Sequence, residues 1–150
     1  MARFTVDVPA RPRAAFDYLA DPRHRPQWQS SLRDVRLAEG GPPRVGTRWT
    51  DRTAIGAEPR LEIVEMAPPG DDGQTGAWSE VGTWHGLRAR LRLTFAPASA
   101  GTRTLLGVQV DFDSTWRWLP VRLVLQILAP RAVRADLRRA ARILESRAGE

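Results

Sequence analysis

Phe4, Val6 and Val8 alternate with Thr5 and Asp7, which is the period-two pattern of a strand with one apolar face. Pro9 closes that strand, and Pro12 suits the first turn of a helix, where its missing N–H costs nothing. Ala15, Phe16, Leu19 and Ala20 form the apolar side of this helix. Asp21-Pro22 reads as a cap followed by a helix-compatible proline, so a second short helix starts there, interrupted at Pro26 and ending near Trp28. Strands are predicted over 32–37, 45–54, 60–66 and 77–81, separated by the turn Gly40-Gly41-Pro42-Pro43, the break Pro68-Pro69-Gly70 and a polar, glycine-rich loop over 71–76. In the strand 45–54, Val45, Thr47, Trp49 and Asp51 share one face.

The clearest alternation follows. Leu87, Ala89, Leu91, Leu93 and Phe95 are interleaved with Arg88, Arg90, Arg92 and Thr94, so one face is buried and the other solvated. After a turn over 97–101, the segment 102–113 returns with Thr104, Leu106, Val108, Val110 and Phe112 on one face, completing a hairpin. The span 120–146 then reads as one helix of roughly 40 Å. Its C-terminal half carries Val133, Leu137, Ala140, Ala141 and Leu144 on one stripe, with Arg131, Arg134, Arg138, Arg139 and Arg142 elsewhere. Its N-terminal half is apolar almost all round, and Pro130 is expected to kink it. Strand, two short helices, six strands and a long helix make an α+β fold. Such a helix cannot fill a curved antiparallel sheet completely, so a cavity between the two is expected.

Composition narrows the picture. One domain is expected from 150 residues, a size that buries roughly 70% of the unfolded surface. With 42% hydrophobic and 27% charged residues the composition is that of a globular protein. The chain has no Cys, which removes disulfides and thiolate chemistry. Its net charge of +6 comes from arginine alone. Lys and Asn are both absent, and both use AT-rich codons, so a GC-rich bacterial genome explains the arginines better than a nucleic-acid interface does. No nucleic-acid partner is expected. The first residues lack an apolar signal core, and the apolar stretch 121–130 falls short of the ~20 residues that cross a bilayer. A cytoplasmic location is the expectation.

Several short stretches together resemble a known family. They are Val8-Pro9-Ala10 leading into Ala15-Phe16-Asp17-Tyr18-Leu19-Ala20-Asp21-Pro22, Pro26-Gln27-Trp28, Val45-Gly46-Thr47-Arg48-Trp49, the Pro68-Pro69 turn, Gly101-Thr102-Arg103 and the helix ending Leu144-Glu145. In order and spacing they are similar to the START/Bet v 1-like superfamily (SRPBCC), in its small bacterial polyketide cyclase/dehydrase-like branch. The resemblance covers nearly the whole chain. It implies a helix-grip fold of about seven strands, two short helices and a long C-terminal helix around a cavity. Polyketides, aromatic natural products or lipids are the ligands it implies, and no cofactor. No acid/base set matches the better-understood aromatase/cyclases.

Six Trp in one small domain offer flat surfaces suited to a flat ligand. The expected lining is Trp28, Trp49, Asp51, Leu91, Leu106, Val108, Val110, Trp116, Leu125 and Leu128. Trp28 can instead pack the short helices onto the sheet. Trp116 and Trp118 are placed at the cavity mouth as a gate or an anchor. His85 shares the parity of Leu87, Ala89 and Leu91. On a strand extended back that far it points inward, where an imidazole can act as general base, bind a ligand carbonyl or serve structure. Glu80 and Asp51 orient it only if they share its face. Two distant His and no Cys give no metal site, and Asp111 and Asp113 read as a solvated strand end. Binding of a hydrophobic small molecule is thus expected, as a cofactor-independent cyclase or dehydratase or as a non-enzymatic sequestering, self-resistance or lipid-binding protein. The apolar residues of 116–128 are expected to cap the cavity, since they are needed to cover the sheet; contact with a membrane surface or a second copy is the alternative, and the state is a monomer or a homodimer.

Overall fold

The computed structural model describes residues 1–149. Strand β1 (Ala2–Val8) is followed by α1 (Pro12–Leu19), a 3-10 turn (Pro22–His24) and α2 (Arg25–Trp28). Six strands come next: β2 (Leu32–Leu37), β3 (Arg48–Thr53), β4 (Arg60–Ala67), β5 (Gly76–Trp84), β6 (Leu87–Ala98) and β7 (Arg103–Ser114). A second 3-10 turn (Trp116–Trp118) leads into α3 (Leu119–Ala148). The seven strands form one antiparallel sheet in the order β1-β7-β6-β5-β4-β3-β2, with β1 and β2 as open edges. This is the expected helix-grip architecture.

Local chemistry explains most element ends. The Asp21 carboxylate accepts from the Arg23 N–H at 3.0 Å, capping the 3-10 turn. Pro26 does not interrupt the second helix; it sits at the start of α2, where proline is tolerated, and splits the segment into a 3-10 turn and a short α-turn. Strand β3 begins at Arg48 rather than at Val45, because Gly46 adopts φ +93 and turns the chain, leaving Val45 exposed. Strand β5 runs on to Trp84, so the β5–β6 turn is tight: His85 takes a left-handed φ of +53. A side chain at Gly86 would meet the Trp118 ring and the Thr115 hydroxyl, so only glycine lets the second 3-10 turn dock there.

The core lies between the sheet and the C-terminal half of α3. Leu137, Ala140, Ala141 and Leu144 are buried against Val6, Val8, Phe16, Leu106 and Val108. The Asp136 carboxylate accepts from the Ser30 hydroxyl at 2.9 Å, tying α3 to the segment after α2. Helix α3 rests on β1, β7 and α2. The concave face of β3 to β6 is therefore left partly uncovered beneath its N-terminal half.

Candidate functional site

That uncovered strip is a groove with two adjoining lobes, of about 130 Å³ and about 270 Å³. Both lobes share Arg25, Gln29, Leu61, Glu80, Gly82, Ala89 and Phe112. The inner lobe adds Trp28, Leu91, Val110, Val133 and Asp136. The outer lobe adds Asp51, Thr53, Ala57, Pro59, Trp84, Leu87 and Leu125. Sheet register makes the room. Gly82 pairs with Ala89, and Ala89 with Phe112, so two small residues lie side by side on the concave face. Joined, the lobes reach the lower part of the roughly 300–1,000 Å³ usual for small-molecule sites.

The floor holds a buried ion cluster. Arg25, 3% exposed, donates from Nη1 to Glu80 Oε2 at 2.6 Å and from Nη2 to Asp51 Oδ2 at 3.1 Å. Trp49 donates its indole N–H to the other Asp51 oxygen at 3.0 Å. The guanidinium also lies over Trp28 and Trp49, 5.8 and 5.4 Å from their ring centroids. Burial alone would weaken the Arg25 charge, but Glu80 and Asp51 outweigh it and hold the group above its ordinary value. Two carboxylates share this one cation, and the strain falls on Glu80. Burial, reinforced by Asp51 and only partly opposed by Arg25, pushes its carboxyl up to about 7. Glu80 Oε1 makes no hydrogen bond among the described residues, and Glu80 lines both lobes. Two buried donors beside the inner lobe, Arg25 Nε and Trp28 Nε1, also lack partners there.

The structure sorts the expected lining residues. Trp28, Leu91 and Val110 line the inner lobe, and Asp51 and Leu125 the outer one. Trp49 is fully buried behind the floor, supporting Asp51 rather than meeting the groove. Leu106 is solid core, and Val108 is buried in the same layer. Trp116 is 81% and Leu128 53% exposed, and neither lines the groove. His85 does not extend the inward row of β6. It is exposed in the turn, its ring stacked on Trp118 at 5.8 Å and edge-on to Trp84 at 4.6 Å. It makes no contact with Glu80 or Asp51, so the acid-oriented imidazole imagined from parity is absent. Sequence reasoning missed Arg25, hidden in an Arg-His-Arg-Pro run, and gave Glu80 only a supporting role. The available signal was parity: Glu80 lies two residues from the buried Trp78 and two from Gly82 on one strand face. Among the described residues no group of three or more His, Cys, Asp or Glu is placed to hold a metal ion. No helix among them is long and apolar enough to cross a membrane.

Comparison with known proteins gives the fold a context. No curated protein matches the chain. Among solved structures it resembles the Zhui aromatase/cyclase from Streptomyces sp. R1128, at TM-score 0.73 and 17% identity, over 98% of this chain and 94% of that one. A START superfamily protein from Mycobacterium smegmatis superposes at TM-score 0.71 and 16% identity, covering 97% of both chains. The di-domain ARO/CYC StfQ of the steffimycin biosynthetic pathway matches at TM-score 0.74 and 18% identity, over 99% of this chain and 51% of that one. At such identities the likeness establishes the fold. The family is established by the sequence profile described as polyketide cyclase/dehydrase and lipid transport, which matches residues 1–149: the chain belongs to that family.

Proposed function

We propose that the protein holds a hydrophobic small molecule of polyketide or aromatic natural-product type in the groove, with an oxygen-bearing end at Arg25 and Glu80, and that Glu80 moves protons in a cyclase/dehydratase reaction. The observation that carries this is the floor itself: a buried carboxyl with a free oxygen beside a guanidinium, under apolar walls. A carboxyl that titrates near neutrality can both take and return a proton. As carboxylate, Glu80 takes an α-proton from a β-dicarbonyl segment, and the enolate oxygen develops its charge beside Arg25. The enolate carbon attacks a second carbonyl of the same chain, and the resulting alkoxide recovers the proton from Glu80. Removal of a second α-proton by Glu80, returned to the departing hydroxyl, releases water. Every proton taken is given back, so no cofactor enters the balance. Family membership supports this chemistry, and the small Gly82–Ala89 pair supports a flat guest lying across β5 and β6.

The test uses a hydroxyanthraquinone as binding probe and a poly-β-ketone thioester as substrate. Binding is expected to quench Trp28 fluorescence and shift the NMR signals of Ala89, Leu91 and Val110. Glu80→Gln is expected to retain the probe and to lose cyclisation by at least the ~100-fold that a positioned acid/base group supplies. Absence of shifts along the groove overturns the reading. Tight binding with no turnover in the unmodified protein assigns sequestration instead.

A further inference from the structure

Val121, Val124, Ile127 and Leu128 lie at i, i+3, i+6 and i+7 along α3, each five turns before the exposed Arg139, Arg142, Glu145 and Ser146, on the side away from the sheet. These four apolar residues are 40% to 63% exposed, and Leu119 and Leu123 at the flank of the row are 39% and 50% exposed. The other side of the same turns carries Arg122, Leu125, Gln126 and Ala129, all half-buried, and Leu125 lines the outer lobe. Apolar side chains thus face outward as well as inward, which a helix that only covers a core does not require. At the same end of the molecule stand Trp116, 81% exposed, and Ile55, 91% exposed in the β3–β4 turn. Both elements belong to the sheet end where β3 passes to β4 and β7 leads into α3, at the open mouth of the groove. A contiguous apolar surface of this kind marks an interaction site.

Its surroundings select the occupant. Arg131, Arg134 and Arg138 continue the row of Ile127 at helical spacing, and Arg117 precedes it. None of these four arginines forms a salt bridge among the described residues. From Trp116 to Arg142 the only carboxylate on α3 is Asp136, half-buried and bound to Ser30. A second copy docked on this face by two-fold symmetry would bring more arginine and no carboxylate from α3 to meet it. An anionic lipid surface matches both parts: acyl chains for the leucines and isoleucine, phosphates for the arginines. Residues 119–130 rise about 18 Å, so a tilted helix can bury its first turns at the headgroup boundary while Arg131 to Arg138 stay level with the phosphates.

We infer that the mouth end of the protein, with Trp116, Ile127 and the neighbouring apolar face of α3 flanked by arginines that have no carboxylate partner, docks on anionic bilayers. This goes beyond the groove reading and stands without it. The test is flotation of the full chain with vesicles of phosphatidylglycerol and phosphatidylcholine, with no guest molecule present. Association is expected with phosphatidylglycerol vesicles at low salt, falling as salt rises and as that lipid is replaced by phosphatidylcholine. Ile127→Glu is expected to cut partitioning by on the order of tenfold, given the apolar area withdrawn from lipid and the added charge. Each of Arg131→Gln and Arg138→Gln is expected to weaken it about fivefold, the share of one basic side chain near an anionic surface. All three positions are exposed, so the variants fold; circular dichroism checks this. No association at low salt overturns the inference. So does Ile127→Glu converting a dimer to a monomer by light scattering while vesicle binding is unchanged, which would assign the face to a second copy. Absence of anthraquinone binding in the unmodified protein that still floats would sink the groove reading alone.

Discussion

The two halves of α3 differ in what they show on the outward side. From Arg131 onward the inward side is Val133, Leu137, Ala140, Ala141 and Leu144, and the outward side is arginine. Before Pro130 the outward side is Val121, Val124, Ile127 and Leu128, and the half-buried side is Arg122, Leu125, Gln126 and Ala129. One continuous helix therefore serves two tasks. Its second half closes the core, where burial stabilises the fold. Its first half overhangs a groove and shows apolar side chains to the outside, where burial can come only from something else. Apolar residues on a helix do not by themselves identify the side that faces the core.

The comparison can be broken most directly by truncation. Leu137→Ala removes a side chain that is 0% exposed and is expected to cost about 3–5 kcal/mol in chemical denaturation. Ile127→Ala, on the exposed half, is expected to change stability by less than about 0.5 kcal/mol. Equal losses would show that the first half is packed as tightly as the second.

A somewhat smaller effect tests the floor beneath the overhang. In the folded chain the Glu80 carboxyl lies near 7, above its ordinary value. Between the two values the folded state binds more protons than the unfolded one, so this group makes stability fall as pH rises through that window. The expected loss is on the order of 2–3 kcal/mol at pH 8 relative to pH 4.5. Glu80→Gln should flatten that slope. Asp7 and Glu65, whose carboxyls are held low chiefly by hydrogen bonds from Arg103 and Arg92, act in the opposite sense, losing stability as pH falls into the acid range. An unchanged slope above pH 4.5 in the Glu80→Gln variant would mean that the cation fully compensates the buried carboxylate.

How much of this was legible in the sequence depends on the kind of signal. Alternation placed β6 and β7 because one face of each is truly buried, as Leu93, Phe95, Leu106 and Val108 show. The C-terminal half of α3 followed from a stripe of the right period. Misplacements arose where the pattern was right and the partner was unknown. His85 has inward parity but sits in a turn with a left-handed backbone, so parity no longer applies. Trp116 and Leu128 are apolar but have no sheet beneath them. Arg25 and Glu80 lie far apart in the chain, and only the folded sheet and α2 bring them within 2.6 Å. A buried ion pair of that kind has no local periodicity, because each member looks like an ordinary surface charge until its partner is known.

The smallest expected effect bears on why the first half of α3 stands free. Ala89 on β6 and Leu125 on α3 line the same outer lobe, with space between them. Ala89→Phe fills that space and gives Leu125 a ring to pack against. Global stability should move by no more than about 1–3 kcal/mol in either direction, since new contact and overpacking oppose each other. The informative readout is local. In the unmodified protein, amide exchange over 119–128 should be faster than over 137–144, because few buried contacts hold the first half. In Ala89→Phe the first half should slow toward the second, and the anthraquinone should no longer bind. If exchange over 119–128 is already as slow as over 137–144, the two halves are held equally. The overhang is then rigid by some contact other than packing on the sheet, and the groove is a fixed recess with a helix that does not need a guest to steady it.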